Sequence, residues 1–181
     1  MAAPFRPAVE LLQHYAEYHR DRRNIVTHFV GVPMIVFGVG VLLSRPGFEA
    51  GGLALTPAWA AFVLAAAWYL SRGQLALGAL TAAAVGGLFW LAHRVGGGSV
   101  SIWLGWGLGF FCVGWAIQFV GHYYEGRKPA FVDDLVGLLV APMFVLLEAL
   151  APLGLFKGLM AEVERHAGPT LIRDLAHPAT R

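Results

Sequence analysis

The stretch VGGGSVSIWLGWGLGFFCVGWAIQFVGHYY, residues 95–124, is 30 residues long and contains no Asp, Glu, Lys or Arg. A helix needs roughly 20 consecutive apolar residues to cross a bilayer, so this stretch predicts a transmembrane helix. Three further uncharged stretches of 21 or 22 residues precede it, at 24–44, 50–71 and 73–93. Together the four stretches predict four membrane-spanning helices.

The composition agrees with this topology. Of 181 residues, 57% are apolar and 13% are charged, and the mean hydropathy is +0.63, whereas soluble domains have about 25% charged residues. We therefore expect an all-α, polytopic membrane helical bundle that forms a single domain over 1–181. The expected spans are approximately 27–44, 53–71, 74–92 and 102–121. The net charge of +2 gives no reason to expect a nucleic-acid partner.

A fifth apolar stretch, 135–147, has only 13 residues, lies between acidic residues and contains Pro142. It predicts an interfacial or re-entrant helix at about 132–150. With four spans and both termini cytoplasmic, 11 basic residues lie inside and 2 outside, as the positive-inside rule favours. A fifth span would change these numbers to 7 and 6. The high Ala, Gly and Arg usage favours a bacterial inner membrane over the endoplasmic reticulum.

Features near the N-terminus predict how the chain enters the membrane. Apolar residues recur at helical spacing in 8–20, which predicts an amphipathic helix lying on the membrane surface. Asn24 is placed to cap a following helix that starts at Ile25. No cleavable signal peptide is expected. Glycines of the spans, such as Gly38, Gly105 and Gly114, predict close helix packing.

Seven histidines stand out in a chain with so few charged residues. The predicted topology brings His19, His28 and His122 to the same membrane face, at helix ends. Imidazole nitrogens bind Fe, Zn, Cu and Ni, so the three residues form a candidate metal site. The alternative is that each is an interfacial residue that caps helix carbonyls or touches headgroups. The remaining histidines outside the spans are interpreted as surface residues: His14, His166 and His177.

Three polar residues near the end of the fourth predicted span support the interpretation of a metal site. Gln118, His122 and Glu125 are spaced i, i+4 and i+7, which places them on one helix face. Intramembrane polar groups are functional candidates, and a carboxylate added to imidazoles favours iron.

Two blocks of the sequence resemble the 2-hydroxy fatty acid dioxygenase family, whose fungal members act in phytosphingosine breakdown. The resemblance covers about residues 11–155. Its specific part is Tyr18-His19-x4-Asn24-x3-His28 and Gln118-Phe119-Val120-Gly121-His122-x2-Glu125-x-Arg127-Lys128-Pro129-Ala130.

The resemblance implies an Fe(II) enzyme that uses O₂ to shorten long-chain 2-hydroxy fatty acids by one carbon in α-oxidation. The implied metal ligands are His19, His28 and His122. His93 also matches a family histidine, but the predicted topology puts it on the opposite face. Either His93 is not a metal ligand, or residues 50–93 do not cross the bilayer as the two successive spans predicted above. Three protein ligands would leave three positions of a six-coordinate iron for a chelating 2-hydroxy acid and O₂.

Further residues of the two blocks are candidate site residues. We treat Glu125, Asn24 and Gln118 as candidate catalytic residues, where Glu125 either binds the metal or orients a histidine ring. The candidate substrate-binding residues are Arg127, Lys128 and Tyr18. Positive-inside topology explains the two cations equally well, and an interfacial aromatic belt explains the tyrosine. The acyl chain would lie in an apolar groove between spans, open to membrane lipid.

Other functions remain open from the sequence. A b-type haem carrier would hold haem between paired histidines, and a non-enzymatic scaffold or lipid-binding protein would need no metal. A di-iron lipid hydroxylase would need paired HxxHH-type clusters, which the chain lacks.

Overall fold

The structure is a computed structural model that describes residues 5–51, 53–127 and 135–174. Its described residues form seven α-helices, a short 3₁₀ helix at Ala151–Leu153, and two three-residue strands. The helices are α1 (Ala8–Ala16), α2 (Arg22–Leu42), α3 (Pro57–Leu70), α4 (Leu75–Gly96), α5 (Val100–Glu125), α6 (Gly137–Leu150) and α7 (Lys157–Ala167). The strands β1 (Phe48–Ala50) and β2 (Leu53–Leu55) pair antiparallel, with Phe48 opposite Leu55. The expected all-α fold is confirmed.

Three of the described helices, α2, α4 and α5, are long and apolar enough to cross a membrane. The expected second span is helical only over the 14 residues of α3, which at 1.5 Å per residue reach about 21 Å, less than a hydrocarbon core of roughly 30 Å. The segment Gly137–Leu153 and helix α7 are bent by 117° against each other and together form either a broken span or a re-entrant loop. Residues 132–134 of the expected interfacial helix lie outside the described residues. The number of spans stays a prediction.

The start of α2 differs from the sequence prediction. The helix begins at Arg22, and Asp21 is its N-cap, whose side chain accepts a hydrogen bond from the Arg23 backbone N–H. Asn24 is therefore not a cap. It lies inside the first turn, completely buried, which leaves its side chain free to contact other elements.

Helix α1 has the expected amphipathic character, but its apolar face is covered by protein. Leu12 and Tyr15 of α1 are buried against Phe144 of α6 and Val163 of α7 in one apolar core. Protein and not lipid therefore covers this face, and the position of α1 relative to the membrane surface stays a prediction. Hydrophobic periodicity identifies an apolar face, but it does not distinguish lipid from a neighbouring helix as the cover.

Helices α2 and α5 pack along most of their length, in opposite directions, and small residues make this possible. A Cβ atom at Gly38 would lie 2.7 Å from the Phe111 backbone nitrogen, and one at Gly114 would lie 3.0 Å from the Gly31 carbonyl oxygen. Gly38 and Gly114 thus have the expected packing role, whereas a Cβ at Gly105 would meet nothing within 4 Å. The close approach brings the first turns of α2 against the last turns of α5.

Candidate metal centre

Three histidines from separate parts of the chain meet where α1, α2 and α5 converge. His19 lies in the turn after α1, His28 in the second turn of α2, and His122 in the last turn of α5. All three are buried. One nitrogen atom from each ring lies within 4.8 Å of the others. The structure therefore brings together the three histidines predicted from the sequence.

The hydrogen bonds of two rings fix which nitrogens carry protons. His19 Nδ1 donates to the Tyr15 carbonyl oxygen at 2.7 Å, and His28 Nδ1 donates to the Asn24 carbonyl oxygen at 2.8 Å. A carbonyl oxygen only accepts, so each Nδ1 must hold the hydrogen, and in a neutral ring Nε2 then carries a lone pair. The two Nε2 atoms lie 3.1 Å apart. Two facing lone pairs at this distance repel each other unless a cation lies beside both.

The surroundings of His19 favour a metal ion over a proton as that cation. Burial, followed by the neighbouring His28 and His122, holds the pKa of His19 well below its usual range. The ring is therefore neutral at pH 7, and neutral imidazole is the form that binds metals.

His122 is the third residue of the cluster that could offer a nitrogen atom to a metal ion. Its Nδ1 atom is buried and has no hydrogen-bond partner among the described residues. Buried polar atoms normally have a hydrogen-bond partner. The His122 Nδ1 atom lacks one within the described part of the chain and lies next to the rings of His19 and His28, so a metal ion bound there could serve as the partner of this histidine. Its ring centroid lies 4.9 Å from that of His19 and 5.3 Å from that of His28.

The three rings fit a single transition-metal ion. Two imidazole nitrogens bound at about 2.1 Å and at nearly a right angle lie about 3.0 Å apart, close to the 3.1 Å between the Nε2 atoms of His19 and His28. A donor set of imidazoles suits Fe, Zn, Cu or Ni. The same short distance leaves no room for a haem between these two rings.

Glu125 lies beside the cluster but its carboxylate is directed to other groups. Oε2 accepts hydrogen bonds from the backbone N–H groups of Arg20 and Asp21, at 2.9 and 2.7 Å, and from Asn24 Nδ2 at 3.2 Å. Oε1 accepts two from the Arg173 guanidinium, at 3.0 and 2.7 Å. Glu125 therefore holds the turn that carries His19, which supports the orienting role rather than direct metal binding.

Asn24 has a similar positioning role. Its side-chain nitrogen donates to the Tyr18 carbonyl oxygen as well as to Glu125, and its backbone carbonyl orients His28. One residue thus links the turn, α5 and the second histidine. These contacts hold the turn and the His28 ring in place, and Asn24 is not among the described residues that line the neighbouring apolar cavity.

An apolar cavity of about 370 Å³ starts at the histidine cluster. His28, His122, Tyr15 and Gln118 line one end, and the wall continues along α2 to Val39. At 1.5 Å per residue, the distance from His28 to Val39 along α2 is about 16 Å. The far part of the wall is formed by apolar side chains of α2, α4 and α5, among them Val39, Phe89 and Phe111. The cavity thus extends from the clustered histidines into a long apolar space between helices.

The other predicted site residues fall into two groups. Gln118 is buried and lines the cavity near His122. Arg127 donates to the Glu17 carbonyl oxygen at 2.7 Å and stacks over the Tyr18 ring, so both residues stabilise the chain next to the site without lining the cavity. Lys128 lies outside the described residues.

The structure does not bring His93 to the other histidines. It lies near the end of α4 that contacts the other end of α2, where Gly40 packs against Phe89 and Ala92. Its Nε2 atom is 2.8 Å from Thr56 Oγ1, and its ring stacks on Trp59. About 18 Å of helix separates residue 40 from His28. His93 therefore cannot share a metal ion with the cluster, which is the first of the two alternatives posed by the sequence.

Sequence reasoning did not find several residues that support the site. The Tyr15 ring stacks on His19 with centroids 4.0 Å apart, and Phe144 packs against the same ring at 5.6 Å. Arg173, near the C-terminus, pairs with Glu125. No local pattern marks Phe144 or Arg173, because their partners lie far away along the chain.

Comparison with known proteins identifies similar sequences. Residues 5–153 match the model of the Mpo1-like family, described as 2-hydroxy-palmitic acid dioxygenase Mpo1-like. The chain is 33% identical over 156 residues to the 2-hydroxy-palmitic acid dioxygenase MPO1 of Saccharomyces cerevisiae, covering 84% of this chain and 85% of the yeast protein. No solved structure matches. All three clustered histidines lie within the matched region.

Proposed function

The chain belongs to the Mpo1-like family of 2-hydroxy-palmitic acid dioxygenases, and from this premise we propose that it is an Fe(II)-dependent dioxygenase in a membrane. Its substrates would be a long-chain 2-hydroxy fatty acid and O₂, and its product a fatty acid one carbon shorter. The observation that carries the proposal is the buried cluster of His19, His28 and His122 at one end of an apolar cavity.

The proposed reaction balances without a further reductant. R–CH(OH)–COOH and O₂ give R–COOH, CO₂ and H₂O. The bond between C1 and C2 breaks, C2 becomes the new carboxyl carbon, and O₂ takes up the four electrons released. A redox-active metal can activate O₂ for such chemistry and zinc cannot, which favours iron over zinc among the ions that imidazoles bind. Fe(II) held by the three histidines would supply O₂ activation and a Lewis acid for the substrate oxygens.

Other residues of the chain would bind the substrate and orient the histidines. The apolar wall from Val32 to Val39 would bind the alkyl chain and exclude water, with about 0.8 kcal/mol for each CH₂ that is buried. Gln118, whose amide can donate and accept, lines the end where the hydroxyl and carboxylate would lie. Glu125 and Asn24 would keep the histidine rings in place, as outer partners of metal ligands do.

The membrane assignment has its own support. Helices α2, α4 and α5 could each span a bilayer, and the basic residues are unevenly distributed between the predicted faces. We propose that both termini are cytoplasmic and that the host membrane is a bacterial inner membrane. The cavity between the helices would then receive its substrate from membrane lipid.

The experiment that tests the function is an oxygen-uptake assay on protein purified anaerobically in detergent and loaded with Fe(II). With 2-hydroxypalmitate, we expect equal amounts of O₂ consumed, CO₂ released and pentadecanoic acid formed. Palmitate, which lacks the 2-hydroxyl group, is the matched control and should cause no O₂ uptake. Iron binding without substrate-dependent O₂ uptake would contradict the proposed reaction while leaving the metal centre intact.

A further inference from the structure

A segment near the C-terminus, Gly168–Arg173, passes over the turn that carries His19; we refer to it as the strap. The Leu171 backbone N–H donates to the Arg20 carbonyl oxygen at 2.9 Å, and the Leu171 carbonyl accepts from the Arg22 N–H at 2.8 Å. These two bonds form a parallel bridge between Leu171 and Asp21. The strap therefore adds a second chain to the turn between α1 and α2.

The side chain of Arg173 continues from the strap into the site's support. Its Nε and Nη2 atoms donate to Glu125 Oε1 at 3.0 and 2.7 Å, and its backbone N–H donates to Asp21 Oδ2 at 2.8 Å. The Glu125 side chain is 0% exposed, and its other oxygen holds the N–H groups of the two residues directly after His19. Arg173 is thus the cation that compensates a buried carboxylate one step from a histidine of the cluster.

The strap lies beyond residues 5–153, which match the family, and Arg173 does not line the apolar cavity among the described residues. Its contacts are directed to the turn and not to the space where a substrate would bind. We propose that the strap is a clamp that positions His19, so that Arg173 determines how tightly the centre holds its metal ion. This inference rests on the proposed metal centre.

The physical reason is the chain of contacts from Arg173 through Glu125 to the turn. Without Arg173 the buried Glu125 carboxylate loses its counter-ion, and leaving a buried charge unpaired is strongly unfavourable. The carboxylate would then move toward water and release the N–H groups of Arg20 and Asp21. Changes to groups that hydrogen-bond a metal ligand typically weaken metal binding by about 10–100-fold, which gives the scale of the expected effect for Arg173, a residue that reaches His19 through Glu125 and the turn.

The test is a Co(II) titration of the full chain in detergent, followed by the visible absorption of the bound ion. Arg173→Ala should bind Co(II) about 10–100-fold more weakly than the unchanged protein and release it faster to a chelator. Ile172→Ala is the matched control, because residue 172 is 67% exposed and the change keeps every backbone bond of the strap. The Co(II) affinity of Arg173→Lys should lie between those of Arg173→Ala and the control, because the lysine amine keeps the positive charge but cannot make the two-nitrogen contact with Glu125.

If the strap only stabilised the fold and did not affect metal binding, the Co(II) titration would give a different result. In that case Arg173→Ala would lower the melting temperature, while at a temperature where circular dichroism shows both proteins folded, the Co(II) affinity would equal that of the Ile172→Ala control. That outcome would overturn the inference. Failure of the unchanged protein to bind Co(II) would instead overturn the metal centre itself, so the two failures are distinguishable.

Discussion

The Nε2 atoms of His19 and His28 lie 3.1 Å apart, and the Nδ1 atom of each ring donates to a backbone carbonyl oxygen. The backbone bonds direct the lone pairs of both rings toward the same point, which is how proteins prepare histidines for a metal ion. Because His19 lies in the middle of the five-residue connection between α1 and α2, and His28 belongs to α2, this geometry depends on the conformation of that turn.

His28→Ala should abolish iron binding, whereas His93→Ala should leave it unchanged. The pair is matched, because the Nδ1 atom of each histidine lies 2.8 Å from the carbonyl oxygen four residues earlier. Only His28 belongs to the cluster. Iron per protein, measured by elemental analysis after Fe(II) loading and gel filtration, checks the prediction. Equal iron in both variants would show that the ion binds elsewhere.

Gly121→Ala should destabilise the folded protein by separating α5 from α2 next to His122. The added methyl group would lie 2.5 Å from Asn24 Oδ1 and 3.2 Å from Asn24 Cα, and overpacking of this kind costs about 1–3 kcal/mol. Gly105→Ala on the same helix meets nothing within 4 Å, so it should be neutral or stabilising. Thermal unfolding in detergent measures both. Equal stability of the Gly121 and Gly105 variants would contradict the close packing of α5 on α2 at this point.

Val39→Phe should shift the enzyme toward shorter substrates. Val39 lines the part of the cavity far from the histidines, and a phenyl ring there would occupy space for the end of the alkyl chain. Each CH₂ that loses its place costs about 0.8 kcal/mol, which is a factor of about four in kcat/KM. The measurement is kcat/KM for 2-hydroxy acids of increasing length. Val30→Phe, on the exposed side of α2, is the control and should keep the original preference.

Removal of the metal ion should destabilise the folded protein. A ligand that binds only the folded state at 100 times its dissociation constant adds about 2.7 kcal/mol of stability. We therefore expect a chelator to lower the melting temperature of the Fe(II)-loaded protein. The same chelator should not affect His122→Ala, because that variant has lost a ligand. An equal decrease in both proteins would mean that the chelator acts without involving this centre.

The membrane-helix fold and the three-histidine site were accessible from the sequence for physical reasons. Uncharged runs of about 20 residues predict spanning helices, and three of the four runs form helices long and apolar enough to cross a membrane; the uneven basic residues predict their orientation. That orientation placed His19, His28 and His122 on one face and His93 on the other. The structure groups His19, His28 and His122 and places His93 against Thr56 and Trp59, while the membrane faces stay a prediction.

Other features depend on contacts that no local pattern encodes. The apolar face of α1 looked equally suited to lipid, yet α6 and α7 cover it. Glu125 was a possible ligand by its position on α5, but its carboxylate is held by Arg173 and by the turn. Arg173 lies 48 residues away from Glu125, so nothing near either residue in the sequence announces the pair.

The most direct test of the central claim is X-ray absorption at the iron edge of the Fe(II)-loaded protein in detergent. If His19, His28 and His122 bind the ion, the spectrum will show nitrogen scatterers at about 2.1 Å with the outer-shell pattern of about three imidazole rings, and His28→Ala will lack it. A spectrum without imidazole scattering, or one that His28→Ala leaves unchanged, would contradict the account.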